Sequence, residues 1–253
     1  MRDFTIGQYK ELCLALLESG YRPLTFFSYL KEGRRNNDGL VVLRHDVDRK
    51  PENALKMAEL EAGLGIKSTY YFRYIKNVFN PEIIKMVNGL GHETGYHYEV
   101  LSRTGGNYEK AIGLFKEELD GFREICQVKT ICMHGSPLSK YDNRDLWEHY
   151  DFKEFGLAGE AYLSVKGVSY FSDTGRSWNW KNKMRDFVAD NCGNNFNVNS
   201  TFELIGLIKA KRAKRLYILA HPERWAASET ERIFSWAVDY VFNAGKKVLQ
   251  KIF

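Results

Sequence analysis

Two devices of secreted and membrane proteins are missing from this chain. Its four cysteines, Cys13, Cys126, Cys132 and Cys192, form no C-x-x-C pair and no disulfide framework. Free thiols in a reducing compartment are the simplest account. Near the start, the longest apolar run is Leu12 to Leu17, bracketed by Glu11 and Glu18. It is far too short for a signal peptide or a membrane span. A cytoplasmic protein without a transmembrane segment is therefore expected. A strong charge of one sign is also absent, the net charge being +5 over 253 residues. The densest basic stretch, Lys209 to Arg215, sits where a helix should end before a strand. Cations there suit the negative end of the helix dipole. Attraction to anionic phosphates of a nucleotide-sugar or a lipid surface is the other reading. No nucleic-acid motif accompanies it, so no nucleic-acid partner is expected. Internal repeats, low-complexity segments and dividing linkers are missing too. One domain over residues 1–253 is expected, with 1–37 a helical extension packed on the rest.

What is present is an alternation. With 44% hydrophobic and 27% charged residues, the composition is that of an ordinary globular protein. Residues 5–20 read as an amphipathic helix with Thr5 and Gln8 as a capping box, stopped by Gly20. Strands are then expected to end at Asp48, Arg73, Tyr98, Met133, Ser172 and Ala220. Helices are expected over Pro51 to Ala62, Pro81 to Leu90, Asn107 to Cys126, from Ser200 towards the basic stretch, and over Glu229 to Gln250. Strands alternating with helices imply a parallel, helix-covered sheet whose site lies at the carboxyl ends of its strands.

That rule organises the polar residues. Leu40-Val41-Val42-Leu43 runs into Arg44-His45-Asp46-Val47-Asp48, and alternation points Asp46 and Asp48 the same way. Two adjacent carboxylates repel, which a cation, a shared proton or catalytic work would resolve. His97, His134, Asp173 and His221 also sit at strand ends. Each alone reads most simply as a hydrogen-bonded structural residue, but one rim would gather them all. His92, at the start of its strand, reads as structural, and His149 receives no role.

Gly91-His92-Glu93-Thr94-Gly95-Tyr96-His97 resembles a signature of the polysaccharide deacetylase family (NodB homology, carbohydrate esterase family four). Asp46-Val47-Asp48 is similar to that family's first motif, and Ile218 to Pro222 to its last. The resemblance covers roughly residues 38 to 250. The HDVD form with a late His-Pro-Glu-Arg-Trp also looks like a subgroup associated with surface-polysaccharide (LPS/O-antigen) biosynthesis. The resemblance implies an α/β fold, an irregular parallel (β/α) barrel of about seven strands. It implies metal-dependent hydrolysis of an N-acyl group, acetyl or formyl, from an amino sugar. A nucleotide-linked or lipid-linked glycan would be the substrate, and zinc the metal, with manganese, nickel or cobalt as alternatives. Carried over, Asp46 is the general base, His221 the general acid, and Asp48 and His97 are metal ligands.

Two departures stand out. Leu101 occupies the position of the family's third ligand, a His. Cys132-Met133-His134-Gly135-Ser136-Pro137 replaces the usual Arg-x-Pro-Tyr motif. His134 is the favoured third ligand; Glu99 or water could serve instead, or the site could hold no metal. Arg44 would position Asp46 or meet an anionic substrate. Asp173 would meet sugar hydroxyls and Arg176 a phosphate or carboxylate. Trp178, Trp180 and Trp225 could offer flat faces to sugar rings, although packing explains each one as well. A barrel hydrolysing a small cyclic amide, and a silent barrel that binds a glycan or a biosynthetic partner, remain alternatives.

Overall fold

The structure is a computed structural model that describes residues 3–32, 38–136, 139–179, 185–188 and 196–226. The expected C-terminal helix over 229–250, Trp180 and Cys192 lie outside the described residues.

Helix α1 (Ile6–Glu18) begins at the Thr5–Gln8 capping box, with both reciprocal hydrogen bonds formed. Strand β1 (Arg22–Leu24) and helix α2 (Phe26–Glu32) follow. Neither was expected from the sequence, since three and seven residues are too short to show a period. The alternation then runs β2 (Leu40–Val47), α3 (Pro51–Gly63), β3 (Thr69–Phe72), α4 (Pro81–Gly89), β4 (Glu93–Tyr98), α5 (Val100–Arg103), α6 (Tyr108–Arg123) and β5 (Thr130–Met133). After the short α7 (Leu146–His149) come β6 (Gly159–Glu160), β7 (Ser169–Ser172), α8 (Thr201–Lys209) and β8 (Arg215–Ala220). Caps fall where sequence chemistry puts them. Asn80 opens α4 ahead of Pro81, Asn107 opens α6, and the Ser200 side chain accepts from the Glu203 N–H. The Glu203 carboxylate reaches back to the Asn199 N–H instead of the cap residue's own.

All pairings within the sheet are parallel, in the order β6-β5-β4-β3-β2-β8-β7, with β1 alongside the first half of β2. The seven-strand path curls into an open α/β barrel. Asp186 links its two ends: the carboxylate accepts from Tyr162 just after β6 at 3.2 Å, and from Tyr170 and Ser172 on β7.

β2 lies at the middle of this curl and is buried along its whole length. Alternation splits its side chains. Val41 and Leu43 join a cluster beneath α1 and α8, with Leu12, Leu16, Leu204 and Ile208. Val42 faces the other way, into the larger cluster with Tyr71, Tyr96, Phe122 and Tyr217. Burying each such large side chain contributes about 1.5–3 kcal/mol. Arg44, Asp46 and Asp48 continue the Val42 face. His45 continues the opposite face, so it leaves the rim group to which its position had assigned it. It hydrogen-bonds Glu61 of α3 through Nε2 at 2.8 Å.

Candidate active site

Four strand ends supply the site: β2 with Asp46 and Asp48, β4 with His97, β5 with His134, and β8 with His221. β4 sits close to its neighbours because residue 95 is glycine. A Cβ there would lie 2.6 Å from the Tyr71 ring and 2.7 Å from the Thr130 carbonyl oxygen.

Asp46 is held by its own strand. Arg44 Nε donates to Oδ1 at 2.8 Å and Nη2 to Oδ2 at 2.6 Å, a bidentate pair in a fully buried setting. The guanidinium also lies over the Tyr162 ring, 4.1 Å from its centroid. Burial alone would raise the Asp46 carboxyl, but Arg44, then His97, outweigh it and keep it below the usual carboxylate range. Arg44 is therefore committed to positioning Asp46, and the contact with an anionic substrate is not one that it makes.

Asp48 is the meeting point of three imidazoles. Its Oδ1 lies 3.3 Å from His97 Nε2 and 3.6 Å from His134 Nε2, and its Oδ2 lies 3.9 Å from His221 Nε2. Burial would raise this carboxyl, yet His134, His97 and His221 together hold it well down. Each ring is fixed from behind through Nδ1. His97 donates to the Cys132 carbonyl at 3.0 Å, His134 to Glu99 at 3.0 Å, and His221 to Asp173 at 2.6 Å. Glu99 is in turn bound by Arg73 at 2.7 Å. Although burial favours its neutral form, His134 and Arg73 pull it down to about 2. Glu99 thus stands behind His134 as its orienting partner.

Asp48 brings two imidazoles beside one carboxylate, but among the described residues the one trio whose ligand atoms all lie within 4.8 Å of one another is Asp46, His97 and Cys132, so Asp48, His97 and His134 do not close on one ion in this geometry. Asp48 Oδ1 is buried and has no hydrogen-bond partner, and the two Nε2 atoms nearest it have their orienting hydrogen bonds in place. Donors each about 2.0–2.2 Å from one tetrahedral ion lie roughly 3.4 Å apart, and each ring taken singly stands near that spacing from Asp48, at 3.3 and 3.6 Å. A second cluster shares His97: ligand atoms of Asp46, His97 and Cys132 lie within 4.8 Å of one another. Its spacing is the tighter, but its chemistry is the poorer. Both Asp46 oxygens are bound to a guanidinium, which would repel a cation, and burial pushes the Cys132 thiol well up. Leu101 points into the core, fully buried, and offers no ligand.

On the far side, His221 receives the opposite treatment from Asp46. Burial and Arg224 pull its pKa down, but Asp173 and Asp48 win, and it is raised. Asp173 is fully buried. Its oxygens also accept from the His221 N–H at 2.9 Å, from Arg224 Nη1 at 3.0 Å and from Trp225 Nε1 at 2.9 Å. Arg224 Nη1 also lies 2.9 Å from His221 Nδ1. With that ring nitrogen donating to Asp173 at the shorter distance, the Arg224 contact is taken up by the carboxylate. Two substrate-binding expectations, those for Asp173 and Trp225, give way here. Asp173 spends its oxygens on His221 and its neighbours instead of sugar hydroxyls. Trp225 is buried among Phe4, Tyr9 and Trp178, so neither it nor Trp178 presents a ring face. Arg176 donates to the Arg224 carbonyl at 3.0 Å.

Two residues of the site had no role in the sequence reading. Cys132 contacts both Asp46 oxygens at 3.7 Å. Glu223, in the one-turn 3₁₀ helix Pro222–Arg224, is buried with neither carboxylate oxygen hydrogen-bonded. Desolvation, then the charge of Asp48, raises it to about 7. The signal was available in His-Pro-Glu-Arg-Trp, an acid placed two residues after a strand-end histidine.

No family model matches the chain, and no curated protein does. Among solved structures, a CE4 esterase of Streptococcus mutans aligns over 91% of this chain and 90% of its own, at 13% identity and a TM-score of 0.48. A family 4 carbohydrate esterase from Bacillus anthracis aligns over 96% and 90%, at 15% identity and a TM-score of 0.40. A CE4-family pseudoenzyme from Bacillus anthracis aligns over 80% of this chain and 60% of its own, at 14% identity and a TM-score of 0.44. Among the described residues, no helix is long and apolar enough to cross a membrane.

Proposed function

We propose that the chain is a metal-dependent deacylase that removes an N-acetyl or N-formyl group from an amino sugar. The observation that carries this reading is the arrangement around Asp48, whose Oδ1 has no hydrogen-bond partner. On one side a carboxylate, Asp46, is clamped by Arg44 and its pKa lowered; on the other an imidazole, His221, is oriented by Asp173 and its pKa raised. A carboxylate and an imidazole shifted in opposite directions suit a base and an acid. Amide hydrolysis needs both, because the amine anion is a poor leaving group.

Asp48, His97 and His134 would hold the cation, which supplies Lewis-acid polarisation and an acidified water. Asp46, clamped by Arg44, takes the proton of the attacking water. His221, oriented by Asp173 through Nδ1, presents Nε2–H to the departing nitrogen. Each proton transfer of this kind accelerates a reaction by about 10²–10⁴-fold. The motif resemblance supports amino sugars as substrates. Its HDVD and His-Pro-Glu-Arg-Trp variants support a nucleotide-linked or lipid-linked precursor of a surface polysaccharide, handled in the cytoplasm.

One observation favours a second reading, a silent glycan-binding barrel: Leu101, buried in the core, stands where the resemblance implies a third ligand. The test is elemental analysis after loading with zinc, manganese, nickel or cobalt, followed by deacylation assays on N-acetyl and N-formyl amino sugars. About one ion per chain, lost in Asp48→Ala, together with amine release supports the enzyme. No ion at any loading sinks it.

A further inference from the structure

Glu223 is the buried titratable group for which the mechanism above has no use. Its side chain is 3% exposed, as deep as Asp46 and His97. Neither oxygen has a hydrogen-bond partner. Arg49, half-exposed at the mouth, lies 3.7 Å from Oε1, beyond hydrogen-bond reach. The charges that act on it are Asp48, His221, Arg224 and Arg49. It lies two residues beyond His221, in the one-turn helix that follows β8.

A buried carboxylate with unmet oxygens costs a protein stability unless something satisfies it. An ionised carboxylate only accepts, so the missing partner must donate or be a cation. The cation is disfavoured. Among the described residues, the one trio of ligand atoms within 4.8 Å of one another excludes Glu223. Asp48, the nearest candidate bridge, already faces two imidazoles. Hydroxyl groups fit better. A carboxylate beside a guanidinium offers an acceptor and a donor side by side, the complement of neighbouring hydroxyls on a sugar ring, each of which donates once and accepts.

We infer that Glu223 is a substrate-recognition residue that accepts hydrogen bonds from ring hydroxyls next to the acylamino group. This rests on the amino-sugar reading above. His221 and Glu223 bracket one turn of chain, so a sugar whose nitrogen meets His221 would bring its adjoining hydroxyls to Glu223. Arg49 completes the contact from the solvent side.

The test uses the full-length, metal-loaded protein and its Glu223→Gln variant. The probes are N-acetylglucosamine, N-acetylgalactosamine and N-acetylmannosamine, their free amines, and acetamide as the probe without a ring. The expected result has three parts. Bound metal per chain is retained in Glu223→Gln. The ligand-free variant melts higher than the parent, because a buried unpaired charge is gone. Sugar affinity by calorimetry, or KM where a probe turns over, worsens about tenfold or more, and kcat changes much less. Three results overturn the inference: lower metal content in the variant, a lower melting temperature, or equal sugar affinity in the two proteins. Absence of binding by every sugar also overturns it. Failure of the deacylase reading looks different: sugars bind and Glu223→Gln weakens them, but no amine is released from any N-acetyl sugar.

Discussion

The molecule holds two clusters of histidine and carboxylate, built from opposite faces of the same strand. Behind β2, Glu61 of α3 accepts from His45 at 2.8 Å, from Ser68 at 2.5 Å, from Tyr70 at 2.7 Å and from Tyr9. His92 lies 3.7 Å away and is held by the Ala58 carbonyl at 3.0 Å. Both Glu61 oxygens are used twice. At the rim, 46 and 48 on the other face of β2 gather His97, His134 and His221. There Asp48 Oδ1 and both oxygens of Glu223 have no hydrogen-bond partner. The residue types are the same, and satisfaction separates them. A cluster whose acceptors are filled from within is part of the fold. One whose acceptors are left over is built for something not contained in the chain. In the inner cluster, among the described residues, only His45 Nδ1 lacks a hydrogen-bond partner.

The sharpest way to break the contrast is to neutralise one carboxylate in each cluster. At the rim, Asp46→Asn should lower deacylation by about 10²–10⁴-fold, the range for loss of a general base. Full activity in a rate assay on the metal-loaded variant would remove Asp46 from the mechanism. In the inner cluster, Glu61→Ala should leave the rim chemistry in place and cost about 3–5 kcal/mol of stability, because four donors lose a buried acceptor. Urea unfolding measures it.

The inner cluster also has a pH signature. Despite full burial, His45, His92 and Ser68 pull Glu61 down to about 2 from 4.5. A depressed carboxylate stabilises the fold above the unfolded value and ceases to as pH falls through the folded one. The drop corresponds to about 3 kcal/mol, present above pH 4.5 and lost by about pH 2. Glu61→Ala should lack that loss, so the two urea curves should converge in acid. Parallel curves would mean that Glu61 is not the responsible group.

A smaller effect tests the outer support of the rim. If Glu99 orients His134 towards a cation, Glu99→Gln should weaken metal affinity about 10–100-fold, as loss of an orienting partner does. His134→Ala should weaken it at least as much. Unchanged affinity in both variants would shift the ion towards Cys132 and Asp46.

How much of this could be read from residues alone follows the same divide. Period-two alternation placed Asp46 and Asp48 together, and strand ends named His97, His134 and His221, because those inferences need only local geometry. His45 was grouped with them by position, whereas it faces the other way, to Glu61 sixteen residues on, in a helix whose pattern says only which side is buried. Asp173 was named by its strand end. Its turning to His221 depends on β7 pairing with β8, a contact across nearly fifty residues. β1 and β6, three and two residues long, carry no period at all. Local chemistry was legible, and the partners brought by folding were not.

One effect separates the clusters most cleanly, since it reverses sign between them. Glu223 is raised to about 7, by desolvation first and by Asp48 next. A raised carboxyl does not oppose folding while it is protonated in both states, below about pH 4.5. As pH rises from there through 7, the unfolded chain ionises first, and the folded state loses ground. Glu223→Gln should therefore match the parent near pH 4.5 and exceed it at pH 8 by about 3 kcal/mol, the same arithmetic as for Glu61 with the sign reversed. Glu61→Ala should do the reverse, falling behind at neutral pH and drawing level in acid. Urea unfolding of the metal-free proteins at three pH values gives both curves. If Glu223→Gln were instead less stable than the parent at pH 8, its carboxylate would be satisfied from within, and the rim would be another Glu61 cluster.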